Sequence, residues 1–108
     1  MVATNRNLAQ PKDINRIGEE AVLNNLKHQG WTGIAATADR DIQANNPGGT
    51  LQLFRLKVAA HPNTPDPLSD AERAILISKA KSMNAVAYEV KVQLDEKHTT
   101  ATVRYRLL

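Results

Sequence analysis

Residues 50–59 constrain this chain more than any other stretch. Leu51, Leu53, Arg55 and Lys57 alternate with Gln52, Phe54, Leu56 and Val58. At the period of a β-strand these two sets face opposite ways, and both are apolar except at one end. A strand with two apolar faces must be covered on both, as in a sheet held between helices or between a helix and a partner. The flanks agree with a strand. Asn45-Asn46-Pro47-Gly48-Gly49 is a turn signal ahead of it, and His61-Pro62-Asn63-Thr64-Pro65-Asp66-Pro67 behind it cannot be regular structure.

The remaining segments supply the cover. Asp13 can cap a helix running to about residue 29, in which Ile14, Ile17, Ala21, Val22 and Leu26 form an apolar stripe and Gly30 is the stop. On this helix Glu20 points away from the stripe, whereas Glu19 lies at its edge and looks toward the body of the protein. Residues 31–38 are predicted as a first strand weakened by Gly33, and residues 41–44 as a short second strand. Ser69 and Glu72 have the spacing of a capping box, opening a helix to about Met83 whose expected buried side is Ala71, Ile75, Leu76 and Ala80. Val86, Tyr88, Val90, Val92 and Leu94 then alternate with Glu89, Lys91 and Gln93. Val103, Tyr105 and Leu107 continue the pattern after a polar turn, so the last two strands are expected to pair as a hairpin.

The expected order is helix, three strands, helix, two strands: an α/β domain with a central mixed sheet and two main helices. A chain of 108 residues suits one such domain, here residues 13–108 behind a flexible N-terminal arm of residues 1–12. One Trp, one Phe and two Tyr leave the core to aliphatic side chains. The absence of Cys excludes disulfides and thiolate metal sites. No apolar run approaches the roughly 20 residues that span a bilayer, and the first residues lack the apolar stretch of a signal peptide, so no membrane association and a cytoplasmic location are expected. The net charge of +3 permits contact with nucleic acid. His28, His61 and His98 share no metal-ligand spacing and are expected at the surface.

Metal-dependent phosphodiester cleavage uses carboxylates around Mg²⁺ and commonly a Lys beside the attacking water. An acid-x-Lys strand motif sets both side chains over one site, and an acid from the preceding strand completes the ligands. Asp41-Ile42-Gln43-Ala44, the Gly48-Gly49 turn and Leu51-Gln52-Leu53-Phe54-Arg55-Leu56-Lys57-Val58 resemble this signature of the PD-(D/E)xK nucleases. The first helix, with Glu19 ahead of Gly30-Trp31, is similar to that of the archaeal-type Holliday junction resolvases, which supplies a further acid. The segment from Pro67 through Ala80 to Val92 continues the likeness, which spans residues 14–107.

The resemblance implies a restriction endonuclease-like αβββαββ fold, with Asp41, Lys57 and Glu19 as vestigial catalytic residues. Two departures from the pattern stand out. Arg40 precedes Asp41 where Pro is common, and Arg55 stands in place of the metal-binding acid. A guanidinium beside Lys57 repels a divalent cation and removes an oxygen ligand. Arg55 is therefore expected to pair with Asp41 or Glu19 in the vacated position. No metal or cofactor is expected; Asp41 would be the ligand if one bound.

The implied function is a catalytically impaired nuclease-like domain that binds DNA, with Lys91, Arg104 and Arg106 as candidate phosphate contacts. One alternative is an interaction module of unknown function that kept the fold, its third strand and hairpin serving a homodimer or a heterologous partner. The other is an active Mg²⁺-dependent endonuclease whose acid has migrated to Glu72 or Glu19.

Overall fold

A computed structural model describes residues 11–37 and 41–108. The elements are α1 (Pro11–His28), β1 (Thr32–Ala36), β2 (Asp41–Asn45), β3 (Leu51–Ala60), α2 (Asp70–Ser82), β4 (Val86–Leu94) and β5 (Ala101–Leu107). The strands form one sheet in chain order. Neighbours are antiparallel except for the parallel pair β3–β4. A parallel pair cannot be closed by a tight turn; the 61–69 loop and α2 form its crossover.

Helix α1 starts at Pro11, two residues ahead of the expected cap. Proline is tolerated there because its missing N–H would have no partner in the first turn. Asp13 falls inside that turn, where its charge meets the positive end of the helix dipole. Of the expected arm, residues 1–10 lie outside the described residues. Strand β1 is shorter than the predicted 31–38, of which Ala38 also lies outside them. Between Thr32 and Ala35 the β1–β2 register shifts, and Gly33 sits there at φ 59°. The residue that weakened the strand pattern is the one that permits the bulge.

The alternation in β3 and β4 sorts the core into two layers. Val22 and Leu26 of α1 pack with Ile42, Phe54, Val90 and Val92 on one face. Gly18 permits a close approach: a Cβ there would lie 2.6 Å from Val58 Cγ2, so at this point α1 settles on β3 because a side chain is missing. Leu76 and Ala80 of α2 pack with Leu53, Leu68 and Ala87 on the other face. Phe54 is buried between strands, with Trp31, Tyr88 and Tyr105 around it at centroid separations of 5.4, 5.3 and 5.7 Å. Removal of such a ring costs about 3–5 kcal/mol.

The capping box forms as its spacing predicts. Glu72 N donates to Ser69 Oγ at 3.1 Å and Ser69 N to Glu72 Oε1 at 3.0 Å. The buried side of α2 differs from expectation: Leu76 and Ala80 are buried, but Ala71 is exposed and Ile75 is 60% exposed. The helix is turned so that Glu72 and Lys79 reach polar groups on the sheet, which carries Ile75 out to solvent. Strand β3 also corrects the expected dimer surface. Its residues 51–55 lie between β2 and β4, and its Leu53 and Phe54 belong to the two core layers, so this half is committed to the fold, whereas residues 56–60 are paired only to β4 and stay half-buried. Among the described residues no helix is long and apolar enough to cross a membrane.

Candidate functional site

The α2 face of the sheet carries two adjacent rows of charged residues, set by strand register. In the first, Asp41 of β2 lies opposite Arg55 of β3, Arg55 opposite Glu89 of β4, and Glu89 opposite Arg106 of β5. Signs alternate across the sheet. Asp41 is fully buried, a position in which an unpaired carboxylate would cost several kcal/mol. Arg55 meets it at two points, with Nε 2.7 Å from Oδ1 and Nη2 3.0 Å from Oδ2. Lys79 Nζ approaches the same Oδ2 at 3.4 Å from α2. Of the two expected partners for Arg55, Asp41 is thus one that it meets.

Glu89 is the other buried acid of the row, only 2% exposed. Its Oε2 accepts from the Leu68 backbone N at 2.8 Å, and Arg106 Nη1 stands 4.0 Å from Oε1. The contact ties the end of the 61–69 loop to the sheet and seats Leu68 under α2. Arg106 is 65% exposed at this side chain, so its screened pairing is the weak end of the row.

A divalent cation does not fit this arrangement. Both oxygens of Asp41 are taken by a guanidinium, and an ammonium stands beside one of them. A cation there would meet two positive charges and one shared carboxylate rather than a cluster of oxygen ligands. Among the described residues no group of three or more His, Cys, Asp or Glu could hold a metal. Lys57 is turned to α2, its Nζ 2.9 Å from Glu72 Oε2. The Glu72 carboxyl is held down at about 2, first by the Ser69 backbone N–H and then by the Lys57 side chain. Glu72 is thus committed to the helix cap and to Lys57. A cleft of about 660 Å³ lies at this end of β3, lined by Arg55 and Lys57 with Leu56 and Val58 of the same strand, Asn15 of α1, and Glu72 and Ile75 of α2. Glu19 is half-buried next to Gly18.

The second row lies two residues further along β3 and β4. Lys57 is opposite Lys91, and Lys91 opposite Arg104. Here every charge is positive. Lys57 has Glu72, but among the described residues no ion pair reaches Lys91 or Arg104. These two open onto a groove of about 1140 Å³ between the 61–65 part of the loop and the β4–β5 turn. The groove also holds Asp95 and Glu96. Asp95 is spent on the turn, accepting from Thr99 N at 2.7 Å, Thr99 Oγ1 at 2.9 Å and Thr100 N at 3.2 Å, and its carboxyl is lowered to about 2, chiefly by the Thr99 N–H. Glu96 Oε1 lies 3.2 Å from His61 Nδ1. His28 and His61 are exposed, whereas His98 is half-buried at φ 57° in the turn.

Sequence reasoning missed Lys79 and Glu89. Lys79 carried a signal, because it is seven residues from Glu72 and shares its helix face. Glu89 carried none, since an acid on the polar face of an alternating strand is ordinarily solvated. Neither the family models nor the curated protein sequences give a match to this chain.

Proposed function

We propose that the chain is a degenerate nuclease domain of the PD-(D/E)xK kind, with the restriction endonuclease-like topology, that binds DNA in the cytoplasm without cutting it. The observation that carries this reading is the two-point contact of Arg55 with the buried Asp41. It stands on the strand pair where the signature expects acids around Mg²⁺, with Lys57 two residues on. A guanidinium performs there the neutralising role of a metal, and supplies neither a Lewis acid nor an activated water. The positively charged row nearby supports the binding half of the reading.

The test is fluorescence anisotropy on duplex and four-way junction DNA, with EDTA and with Mg²⁺, followed by electrophoresis of the same DNA. Binding at low salt, equal in both buffers and without cleavage, is expected. No binding at low salt overturns the reading. So does Mg²⁺-dependent cutting that Asp41→Asn abolishes, which would instead support the active enzyme with a migrated acid.

A second reading, an interaction module forming a homodimer, is favoured by β5. This strand is an open edge of the sheet, with Leu107 62% and Tyr105 36% exposed. Sedimentation equilibrium separates the two: a dimer with no DNA affinity supports the second, and a monomer that binds DNA supports the first.

A further inference from the structure

The like-charged row contains a feature that the fold does not explain. Cations directly opposite one another on neighbouring strands, about 5 Å apart, destabilise a sheet. The row beside it avoids this by alternating sign. Lys57, Lys91 and Arg104 do not, and only Lys57 has an acid to offset it. Helix α2 covers the Leu53–Ala87 part of this sheet face, and the Lys91–Arg104 end opens into the groove. Three cations are held in register by strands: Lys91 and Arg104 open into the groove, and Lys57, paired to Glu72 and 31% exposed, lies just outside it, a row complementary to a chain of anions.

The groove also decides the kind of polyanion. Proteins that hold single strands stack bases on aromatic side chains. All four aromatic residues of this chain, Trp31, Phe54, Tyr88 and Tyr105, lie on the α1 side of the sheet. Three of them pack into that core layer, and Tyr105 contacts Phe54 and donates to Asn25 Oδ1 of α1 at 2.7 Å. The cationic side offers Gln93 and Thr102 beside Lys91 and Arg104, groups that bond phosphate or sugar oxygens, and the one ring in the groove, His61, is held 3.2 Å from Glu96 at its turn end rather than beside the cations. Asp95 and Glu96 stand beside Lys97 at the turn end of the groove and offset its charge there, so positive charge without nearby acids is found at the Lys91–Arg104 end.

We infer that Lys57, Lys91 and Arg104 form a phosphate-contacting row for the backbone of duplex DNA, displaced from the Asp41–Arg55 pair and independent of it. The inference rests on the DNA-binding reading above and gives it a place and a substrate class. Contacts of this kind position a duplex without reading its sequence.

The experiment measures anisotropy of labelled duplex and of one of its single strands over a salt series, for the full chain and for Lys91→Gln/Arg104→Gln. Thermal melts show that each variant is folded. Duplex is expected to bind more tightly than single strand, with little dependence on sequence. The double variant is expected to lose about tenfold or more in duplex affinity at low salt, and to flatten the log–log salt slope by roughly two. Lys91→Arg/Arg104→Lys, which keeps both charges, is expected to bind nearly as the parent does. If the parent binds duplex and the neutralised variant keeps its affinity and slope, the row is not the site, although the DNA-binding reading survives. Equal or tighter binding of single strand overturns the duplex assignment. Failure of the parent to bind either form overturns both.

Discussion

The two charged rows on the α2 face use the same element positions to opposite ends. They are separated by one strand repeat and both cross β3, β4 and β5. In the first, Asp41, Arg55, Glu89 and Arg106 cancel along the row, and both acids are buried. In the second, Lys57, Lys91 and Arg104 repeat one sign, and Lys91 and Arg104 face a groove. A buried charge is tolerated only with its counter-charge and hydrogen bonds in place, so the first row is internally complete and has little left to offer a ligand. Solvent and the Lys57–Glu72 pair screen the second row enough for its repulsion to be borne, and leave Lys91 and Arg104 without an ion pair among the described residues. The difference teaches what each row leaves exposed: the acid that resembles a catalytic residue is sealed, and Lys91 and Arg104 are open to the groove.

The sharpest way to break this contrast is to unpair the first row. Asp41→Ala leaves the Arg55 guanidinium, 16% exposed, without its carboxylate, and urea denaturation should show a loss of about 3–5 kcal/mol. The double replacement Asp41→Leu/Arg55→Met should recover most of that loss, because no charge is then left uncompensated. A double variant as unstable as Asp41→Ala would mean that the pair holds the fold through more than mutual neutralisation.

Glu89→Ala should come next, at about 2 kcal/mol, from the loss of the charged acceptor of the Leu68 N–H. Arg106→Gln in the same assay should cost well under 1 kcal/mol, since that cation is exposed. Equal losses would mean that the weak and strong ends of the row had been misjudged. Ser69→Ala removes half of the capping box and should cost about 1 kcal/mol.

The acid side of the stability curve depends in part on Glu72, alongside the similarly lowered Asp95. The Glu72 carboxyl ionises at about 2 in the fold against an ordinary 4.5, so the folded state binds the proton less readily than the unfolded state. The resulting stabilisation is present above about pH 4.5 and is lost as the pH falls through 2. Glu72→Gln should flatten the curve in that window, which pH-dependent melts would detect. The smallest expected effect has the opposite sign. Lys91→Gln relieves repulsion in the second row and should leave stability unchanged or raise it by a few tenths of a kcal/mol. A clear destabilisation would mean that Lys91 has a structural partner and would weaken the contrast between the rows.

Much of this fold was legible in advance. The alternation in residues 51–58 and 86–94 separated the faces correctly, the Ser69–Glu72 spacing marked the start of α2, and the turn residues divided the strands. Helix faces were read less well. Period alone placed Ala71 and Ile75 in the core, yet the demand of Asp41 and Lys57 for counter-charges turns α2 toward Lys79 and Glu72. The pairing of Arg55 with Asp41 was readable as a choice between two acids. The burial of Glu89 was not, because it depends on a loop backbone N–H that arrives only when the crossover closes.

The sequence by itself determined which side chains share a face, through strand and helix periods that hold wherever the segments end up. It also determined that an arginine stands where the resembled motif carries an acid. Only the tertiary structure decided that β3 lies inside the sheet, that four charges of alternating sign line up across it, and that three positive ones line up beside them. Register between strands is a long-range property. It is set by core packing and by the parallel crossover, so no local pattern in the chain could state which charge would meet which.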